Sequence, residues 1–159
     1  MDSICEGVHL EISGGKSLTV KQLVLDFTGT LSCDGTLLTG IAERLEKLAK
    51  NLHITVLTAD TFGTAARQLK KLPVDLHIIQ TGRDKVAFLA GLKKSETAAI
   101  GNSRSDVEMV RMAGLGIAVL GLEGCVGELI SVAKIVCRNT PAALDLLLNP
   151  LRTKATLRD

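Results

Sequence analysis

Short apolar runs alternate with amphipathic stretches along most of the chain. Leu23-Val24-Leu25 is a continuous apolar run, which predicts a strand buried on both faces of a parallel sheet. Similar runs recur downstream, and the stretches between them carry apolar residues at helical spacing. After the strand that ends at Asp26, strands are predicted over 53–57, 76–79, 97–100, 116–120 and 134–137, and helices over 41–52, 65–72, 84–92, 105–112 and 141–148.

This regular alternation predicts a single α/β domain over residues 1–159. We expect a three-layer, Rossmann-like fold, with a doubly wound and mainly parallel sheet between two layers of helices. Two strand-like runs flank the turn 13–16 and predict an N-terminal β-hairpin beside the sheet. Asp34-Gly35 predicts a second, small hairpin that forms a flap over the strand ends. The charged tail, 152–159, is expected to be mobile or to contact a partner chain.

Composition excludes several classes of partner. The formal net charge is +2 and the chain has no Trp or Tyr, so neither a basic face nor a stacking surface for nucleic acid is expected. The sequence has no long apolar segment, so we expect neither a secretory signal nor a membrane span. The four cysteines show no CxxC spacing, which favours free thiols in the cytoplasm over disulfides or zinc.

Residues with catalytic potential follow four of the predicted strands. Asp26 follows the first, Thr58 the second, Lys85 opens the helix after the third, and Asp106 follows the fourth. Parallel strands end at one edge of the sheet, where open α/β folds bind ligands. Gly29 would let the backbone after Asp26 approach such a ligand closely.

Phosphoryl transfer requires this set of groups. Asp26 would attack phosphorus, Thr58 would donate to a phosphate oxygen, and Lys85 would neutralise negative charge. Asp106, together with Asn102, would help to bind a hard cation.

Each residue also has an ordinary structural explanation. Asp26 could simply end a strand at a polar turn, and Thr58 with Asp60 could cap the next helix. Lys85 could be solvated, and Asp106 could cap a helix or pair with Arg104 or Arg111. The order of all four along alternating strands favours a common site.

Four motifs resemble the haloacid dehalogenase superfamily, and within it the catalytic core of P-type ATPases. Asp26-Phe27-Thr28-Gly29-Thr30 is similar to their Asp-Lys-Thr-Gly-Thr, and Thr58-Ala59-Asp60 to their Thr-Gly-Asp. Lys85 matches the lysine of the third motif, and 101–106 is similar to Gly-Asp-Gly-x-Asn-Asp. The likeness spans about residues 20–121, and the whole chain looks like the stand-alone, soluble P-type ATPase-like phosphatases.

The resemblance implies a Mg²⁺-dependent phosphohydrolase that acts through an aspartyl-phosphate at Asp26. It implies that Gly29 and Ala59 contact the phosphate along with Thr58 and Lys85. It further implies Mg²⁺ ligands from four residues. These are Asp26, the backbone carbonyl of Thr28, Asn102 and Asp106.

Two departures from the family pattern affect the expected chemistry. Thr28 occupies a catalytic position where typical phosphatases of the superfamily have an aspartate that acts as general acid and base. Loss of that function costs about 10²–10⁴-fold in rate, so we expect slow hydrolysis or a preference for good leaving groups. Asn102 stands where the pumps have an aspartate, and the lost charge should weaken Mg²⁺ binding.

The segments between the motifs are too short for a cap domain. Capless members of the superfamily often close their site with a neighbouring subunit or a large substrate. We therefore expect a homo-oligomer, a dimer or tetramer, that acts on a small phosphorylated substrate. A catalytically weak module that binds phosphorylated ligands or regulates a partner is the alternative. A dinucleotide-binding domain is disfavoured because no Gly-x-Gly-x-x-Gly follows the first strand.

Overall fold

The computed structural model describes residues 5–158, which contain ten strands and seven α-helices. The longest helices have nine residues, and within 5–158 no helix has the length and hydropathy needed to cross a bilayer. The strands are β1 (Val8–Ile12), β2 (Lys16–Val20), β3 (Gln22–Leu25), β4 (Ser32–Cys33), β5 (Thr36–Leu37), β6 (His53–Thr58), β7 (Asp75–Ile78), β8 (Thr97–Gly101), β9 (Leu115–Val119) and β10 (Ile135–Cys137). The helices are α1 (Ile41–Leu48), α2 (Ala65–Leu69), α3 (Gly82–Ala90), α4 (Val107–Met112), α5 (Gly127–Val132), α6 (Thr140–Leu148) and α7 (Pro150–Leu157).

Six strands form one parallel sheet in the order β10-β9-β8-β3-β6-β7. The order reverses around β3, which lies between β6 and β8. Leu25, the last residue of β3, is in register with Val56 of β6 and Ile100 of β8. The residues that follow these three strands therefore meet at one edge of the sheet, as the alternating pattern predicted.

Successive residues of β3 face opposite layers of the molecule. Leu23 and Leu25 belong to a buried cluster that includes residues of α1, α6 and the N-terminal hairpin. Val24 belongs to a second cluster with residues of α3, α4 and α5. Both faces of the sheet are thus covered, which explains the continuous apolar run and confirms the predicted three-layer fold.

Both predicted hairpins are present, and they lie at opposite edges of the sheet. The β1–β2 hairpin is joined to the sheet near the start of its strands, where the Lys21 amide donates to Glu96 O at 2.8 Å. The β4–β5 hairpin follows β3 at the carboxyl edge and forms the flap. Its turn, Asp34-Gly35, has positive φ at both residues, as a tight hairpin turn requires.

The C-terminal tail is a helix packed on the domain, so the prediction that it is mobile is wrong for residues 152–158, while the contact with a partner chain stays a prediction. Helix α7 packs against β1. Thr153 is buried and donates to Leu146 O at 2.8 Å, and Lys154 pairs with Glu11 at 2.5 Å. The charged residues lie on the exposed side of this helix, while the buried side is too short to produce a clear apolar pattern. Asp159 lies outside the described residues.

Other differences concern helix bounds. Helix α5 was not predicted, because its six residues bury only Leu129. Helix α3 begins two residues earlier than expected, since Thr81 and Asp84 form a capping box at its first turn. A short 3₁₀ turn, Arg104–Asp106, precedes α4 where continuous helix was expected.

Candidate active site

Three charged side chains from separate segments meet at the carboxyl edge of the sheet. Asp26 follows β3, and its amide donates to Ile100 O of the neighbouring strand at 3.1 Å. Lys85 Nζ lies 2.7 Å from Asp26 Oδ1 and 2.5 Å from Asp106 Oδ1. The Lys85 side chain is 1 % exposed, so it is a buried bridge between two carboxylates and not a solvated helix residue.

The surroundings of these groups shift their pKa values. Burial, followed by the negative charge of Asp106, raises the pKa of Asp26 to about 7, although Lys85 acts in the opposite direction. Burial alone would lower the pKa of Lys85, but Asp26 and Asp106 outweigh it and raise that pKa. The lysine is therefore charged at neutral pH. When Asp26 and Asp106 are both ionised, the cluster with Lys85 carries one net negative charge, which a bound cation would balance.

Asp106 is oriented by its own turn. Its Oδ2 accepts hydrogen bonds from the amides of Asn102 and Ser103, at 3.0 and 2.9 Å, and from Ser103 Oγ at 3.0 Å. Its Oδ1 remains for Lys85. A Cβ at Gly101 would overlap the Asp106 carboxyl group, so only glycine fits there. Asp106 thus both caps its turn and pairs with Lys85, whereas Arg104 and Arg111 do not pair with it.

Thr30 links the segment after Asp26 to the Asn102 segment. Thr30 Oγ1 lies 3.0 Å from Asn102 Oδ1 and 3.4 Å from Asp26 Oδ2, so both oxygens face one hydroxyl. Gly29 has φ +77°, and a Cβ there would overlap the Asn102 amide. The sequence placed hydroxyl groups in this turn, but it did not reveal that Thr30 contacts Asn102, because 72 residues separate them.

Thr28 lies two residues after Asp26, in a tight turn around Phe27 O. That carbonyl accepts from the amides of Thr30, Leu31 and Ser32. The Thr28 hydroxyl is buried and has no hydrogen-bond partner in residues 5–158. An unpartnered buried hydroxyl has a desolvation cost of about 1–3 kcal/mol, so a polar ligand at this position would relieve it.

Thr58 ends β6, one strand away from Asp26. The register pairs Leu25 with Val56, which sets Thr58 level with the residue after Asp26. Its hydroxyl accepts from the Asp60 amide at 3.0 Å and donates to no residue in the described chain. The N-cap residue of α2 is Thr64 and not Asp60, but Asp60 Oδ1 accepts from the amides of Thr64 and Ala65 and so satisfies donors at the start of this helix. Ala59 is exposed between these two residues.

The oxygen atoms at this edge suit a hard divalent cation. Asp26 Oδ2 and Asn102 Oδ1 face the same hydroxyl, and carboxylate and amide oxygens are the ligands that Mg²⁺ prefers. No group of three or more His, Cys, Asp or Glu residues with metal-binding geometry occurs within 5–158. Both carboxylate oxygens of Asp106 already accept hydrogen bonds. Its contacts therefore directly support a role in holding Lys85 and the 102–103 backbone in place, more than a role as a cation ligand.

A loop that was not predicted from the sequence encloses one side of the cluster. The segment 120–126, here called the rim loop, follows β9 at the same edge of the sheet. Asn102 Nδ2 donates to Gly124 O at 3.1 Å, and the Val126 amide donates to Asn102 O at 2.9 Å. The Asp34 amide of the flap donates to Glu123 Oε2 at 3.3 Å. Gly121 and Gly124 both have positive φ, and two glycines soon after a predicted strand could have indicated this loop in the sequence.

Comparison with known proteins identifies one curated relative. No family model matches the chain. The uncharacterized protein MJ0073 of Methanocaldococcus jannaschii is 42% identical over 85 residues, which cover 49% of this chain and 91% of that protein. The chain belongs to the same family as this archaeal protein.

Solved structures identify the fold. A Legionella pneumophila protein assigned to the HAD (haloacid dehalogenase) superfamily, subfamily III A, matches 87% of each chain with a TM-score of 0.71 at 20% identity. The chain has the haloacid dehalogenase fold. A 3-deoxy-D-manno-octulosonate 8-phosphate phosphatase from Moraxella catarrhalis, in complex with magnesium, phosphate and KDO, matches this HAD fold over 87% of the chain and 89% of its own, with a TM-score of 0.65 at 20% identity. The cobalt-bound phosphatase of Haemophilus influenzae for the same ester matches 82% and 88%, with a TM-score of 0.69 at 15% identity.

These overlaps also bear on the predicted absence of a cap domain. The HAD-fold neighbours are covered almost completely, so they add no large domain to the shared core. In this chain the segment between β3 and β6 contains only the flap and α1, and the segment between β6 and β7 contains only α2. The prediction of a capless HAD fold is confirmed.

Proposed function

We propose that this protein is a phosphohydrolase that uses Asp26 as its nucleophile. The proposal rests on Lys85, whose ammonium bridges Asp26 and Asp106 in a buried position. A lysine held in this way fixes the direction of the Asp26 carboxylate and supplies positive charge where a phosphate would bind. The phosphatases with the same fold support this choice of reaction.

The proposed reaction has two steps. In the first, a carboxylate oxygen of Asp26 forms a bond to phosphorus while the bond from phosphorus to the leaving oxygen breaks. Lys85, the Thr58 hydroxyl and the backbone amide of Ala59 stabilise the charge on the phosphoryl oxygens. The Gly29 amide donates to Ser32 O at 3.1 Å, so Gly29 contributes through the close approach of its backbone and not as a donor. In the second step, water attacks phosphorus and loses a proton to the solvent, the bond from phosphorus to Asp26 breaks, and inorganic phosphate leaves. This restores the Asp26 carboxylate.

We further propose Mg²⁺ as the cofactor, with ligands from Asp26, the Thr28 carbonyl and Asn102, and with Asp106 in support. Bound Mg²⁺ would neutralise charge on the phosphate and on Asp26. The oxygen donors around Thr30 support this assignment, as do the magnesium and cobalt ions named for the two phosphatase structures.

Slow turnover follows from Thr28 in this proposal. A threonine hydroxyl cannot give a proton to a poor leaving group at neutral pH, so esters of acidic alcohols and acyl phosphates should react best. The P-type ATPase-like character of the chain lies in this replacement and in the Asp26–Thr30 motif.

Site closure, in this proposal, comes from a second copy of the chain. Leu122 of the rim loop is 83 % exposed and Phe62, beside the flap, is 45 % exposed. Apolar side chains at the rim of an open site suit contact with a neighbouring subunit, here in a dimer or tetramer, around a small phosphorylated substrate. A monomeric mass by light scattering would contradict this. The four free cysteines support a cytoplasmic location.

The test is release of phosphate from p-nitrophenyl phosphate and acetyl phosphate in the presence of Mg²⁺. Asp26→Asn should lower the rate roughly a thousandfold or more, because the amide is not a nucleophile. Asp75→Asn is the matched control, since Asp75 is exposed at the other end of the sheet and, among the described residues, pairs with His53 alone. Activity that survives Asp26→Asn would rule out the mechanism.

A catalytically weak module that binds phosphorylated ligands is the second candidate. Thr28 and Asn102 favour it, because both replace residues on which fast phosphatases depend. Beryllofluoride mimics the phosphoryl group on an aspartate. Tight Mg²⁺-dependent binding of beryllofluoride without turnover of any ester would favour this candidate over the enzyme.

A further inference from the structure

A groove of about 640 Å³ lies beside the proposed site, between the start of α3 and the turn that precedes α4. Helix α3 lines one wall with Gly82, Arg83 and Val86. The other wall consists of Arg104, Ser105 and Glu108. The groove therefore carries one arginine on each wall.

Arg83 and Arg104 form no ion pair in the described part of the chain. No carboxylate within residues 5–158 lies within ion-pair distance of Arg83 or Arg104. The nearby acids are already engaged, since Glu108 pairs with Arg111 at 3.1 Å and Asp84 accepts from the Thr81 amide at 2.8 Å. Two unpaired guanidinium groups along one groove make an electropositive surface.

The groove borders the two segments that carry Lys85 and Asp106. Arg83 lies two residues before Lys85, and Arg104 lies two residues before Asp106. Between them, Gly82 packs so closely on the next segment that a Cβ there would lie 3.0 Å from Ser105 O. The two segments therefore meet through small residues, Gly82 and Ser105, with no bulky side chain between them.

We propose that Arg83 and Arg104 bind a second anionic group on the substrate, a carboxylate or a second phosphate. Guanidinium groups bind both through paired N–H donors, and Val86 offers an apolar surface for the carbon chain between the two anions. This inference rests on the proposed phosphatase function and narrows its substrates to phosphate esters with two separated negative groups.

Matched pairs of esters test the inference and distinguish the two anions. Phosphoglycerate against glycerol phosphate differs by a carboxylate, and fructose bisphosphate against fructose monophosphate differs by a phosphate. In the wild type we expect a lower KM for the doubly anionic member of at least one pair. Arg83→Gln combined with Arg104→Gln should raise that KM about tenfold and leave the singly anionic member unchanged.

Arg67→Gln combined with Arg158→Gln is the control, because both arginines are exposed and lie outside the groove. The inference is overturned by a wild type that shows no preference in either pair, or by a groove variant that loses both members of a pair equally. If no ester is hydrolysed at all, the proposed function fails, and the same pairs are compared by calorimetric binding in Mg²⁺. Equal affinities in both pairs would then overturn the groove proposal by itself.

Discussion

The charged cluster and the rim that surrounds it differ in how the chain builds them. Asp26, Lys85 and Asp106 are almost fully buried and come from rigid strand ends and helix starts. The flap and the rim loop are less buried, contain several residues with positive φ, and are joined by a hydrogen bond from the Asp34 amide to Glu123. Buried ion pairs thus hold the charged cluster in place, whereas left-handed backbone conformations set the paths of the flap and the rim loop.

This contrast indicates where reaction type and substrate choice reside. A buried cluster of fixed charge suits one chemistry, because any change there leaves a charge unpaired. The groove with Arg83 and Arg104 lies outside this cluster, and neither arginine forms an ion pair within residues 5–158, so substitutions there should change substrate choice at little cost to stability. Four variants or measurements probe this division.

The largest effect is expected for Lys85→Met, which removes the shared cation. The free energy of unfolding should fall by about 3–5 kcal/mol at pH 8, because two buried carboxylates then lack a counter-charge. The loss should be smaller at pH 6. Without Lys85, the pKa of Asp26 in the folded protein rises further above its value in the unfolded chain. A carboxyl group whose pKa is raised by folding disfavours the folded state increasingly as the pH rises toward that pKa, so the variant loses more stability at pH 8 than at pH 6. Urea unfolding measures the effect, with exposed Lys71→Met as the control. Equal, small losses for both variants would contradict the buried bridge.

Thr28→Asp should restore the missing acid. The buried Thr28 hydroxyl has no partner in residues 5–158, and a carboxyl in such a place is easily kept protonated. We expect about a hundredfold higher kcat/KM for alkyl phosphates and little change for p-nitrophenyl phosphate, whose leaving group needs no proton. An equal change for the two esters would mean that Thr28 does not occupy the acid position.

Mg²⁺ affinity should depend on pH through Asp26. The pKa of this carboxyl is about 7 in the metal-free protein, so below that pH an ion must displace a proton to bind. Calorimetry should show about tenfold weaker binding at pH 6 than at pH 8. Asp26→Asn should remove this dependence. Affinity independent of pH in the wild type would place the cation elsewhere.

The smallest expected effect is the difference in stability between Gly29→Ala and Gly14→Ala. This difference distinguishes the cost of backbone strain from the cost of overlap with Asn102. Gly29 and Gly14 have similar φ values, +77° and +71°, but a Cβ at Gly29 meets Asn102 and one at Gly14 meets nothing within 4 Å. Alanine at either position should incur the cost of a left-handed backbone, about 1–2 kcal/mol. Gly29→Ala should be worse by about a further 1 kcal/mol, because the Asn102 amide must shift. Thermal unfolding of both variants checks this, and equal losses would contradict it.

The sequence was sufficient to predict the buried centre of this molecule. Apolar runs marked the strands of the main sheet, and a parallel sheet brings its strand ends to one edge whatever the loop details are. Asp26, Lys85 and Asp106 could therefore be grouped before any coordinate was known. Their spacing also matched the motifs of the superfamily whose fold the chain adopts.

The contacts of the rim could not be predicted in this way. Thr30 reaches Asn102, and the flap reaches Glu123, across loops whose paths depend on single left-handed residues. Helix α7 was missed for a related reason. It is held by Thr153, which donates to Leu146 O, and by an ion pair with Glu11, and neither contact leaves a periodic signal in the sequence.

The central position of β3 has a consequence for folding and its measurement. Asp26 comes from β3, whereas Lys85 and Asp106 come from segments joined to β7 and β8, so the cluster exists only after both halves of the sheet have assembled. A ligand that binds the cluster should therefore raise the free energy of global unfolding, and not only the free energy of local opening beside the ligand. Hydrogen exchange with beryllofluoride and Mg²⁺ should accordingly slow the most protected core amides, far from the ligand, as much as those beside it.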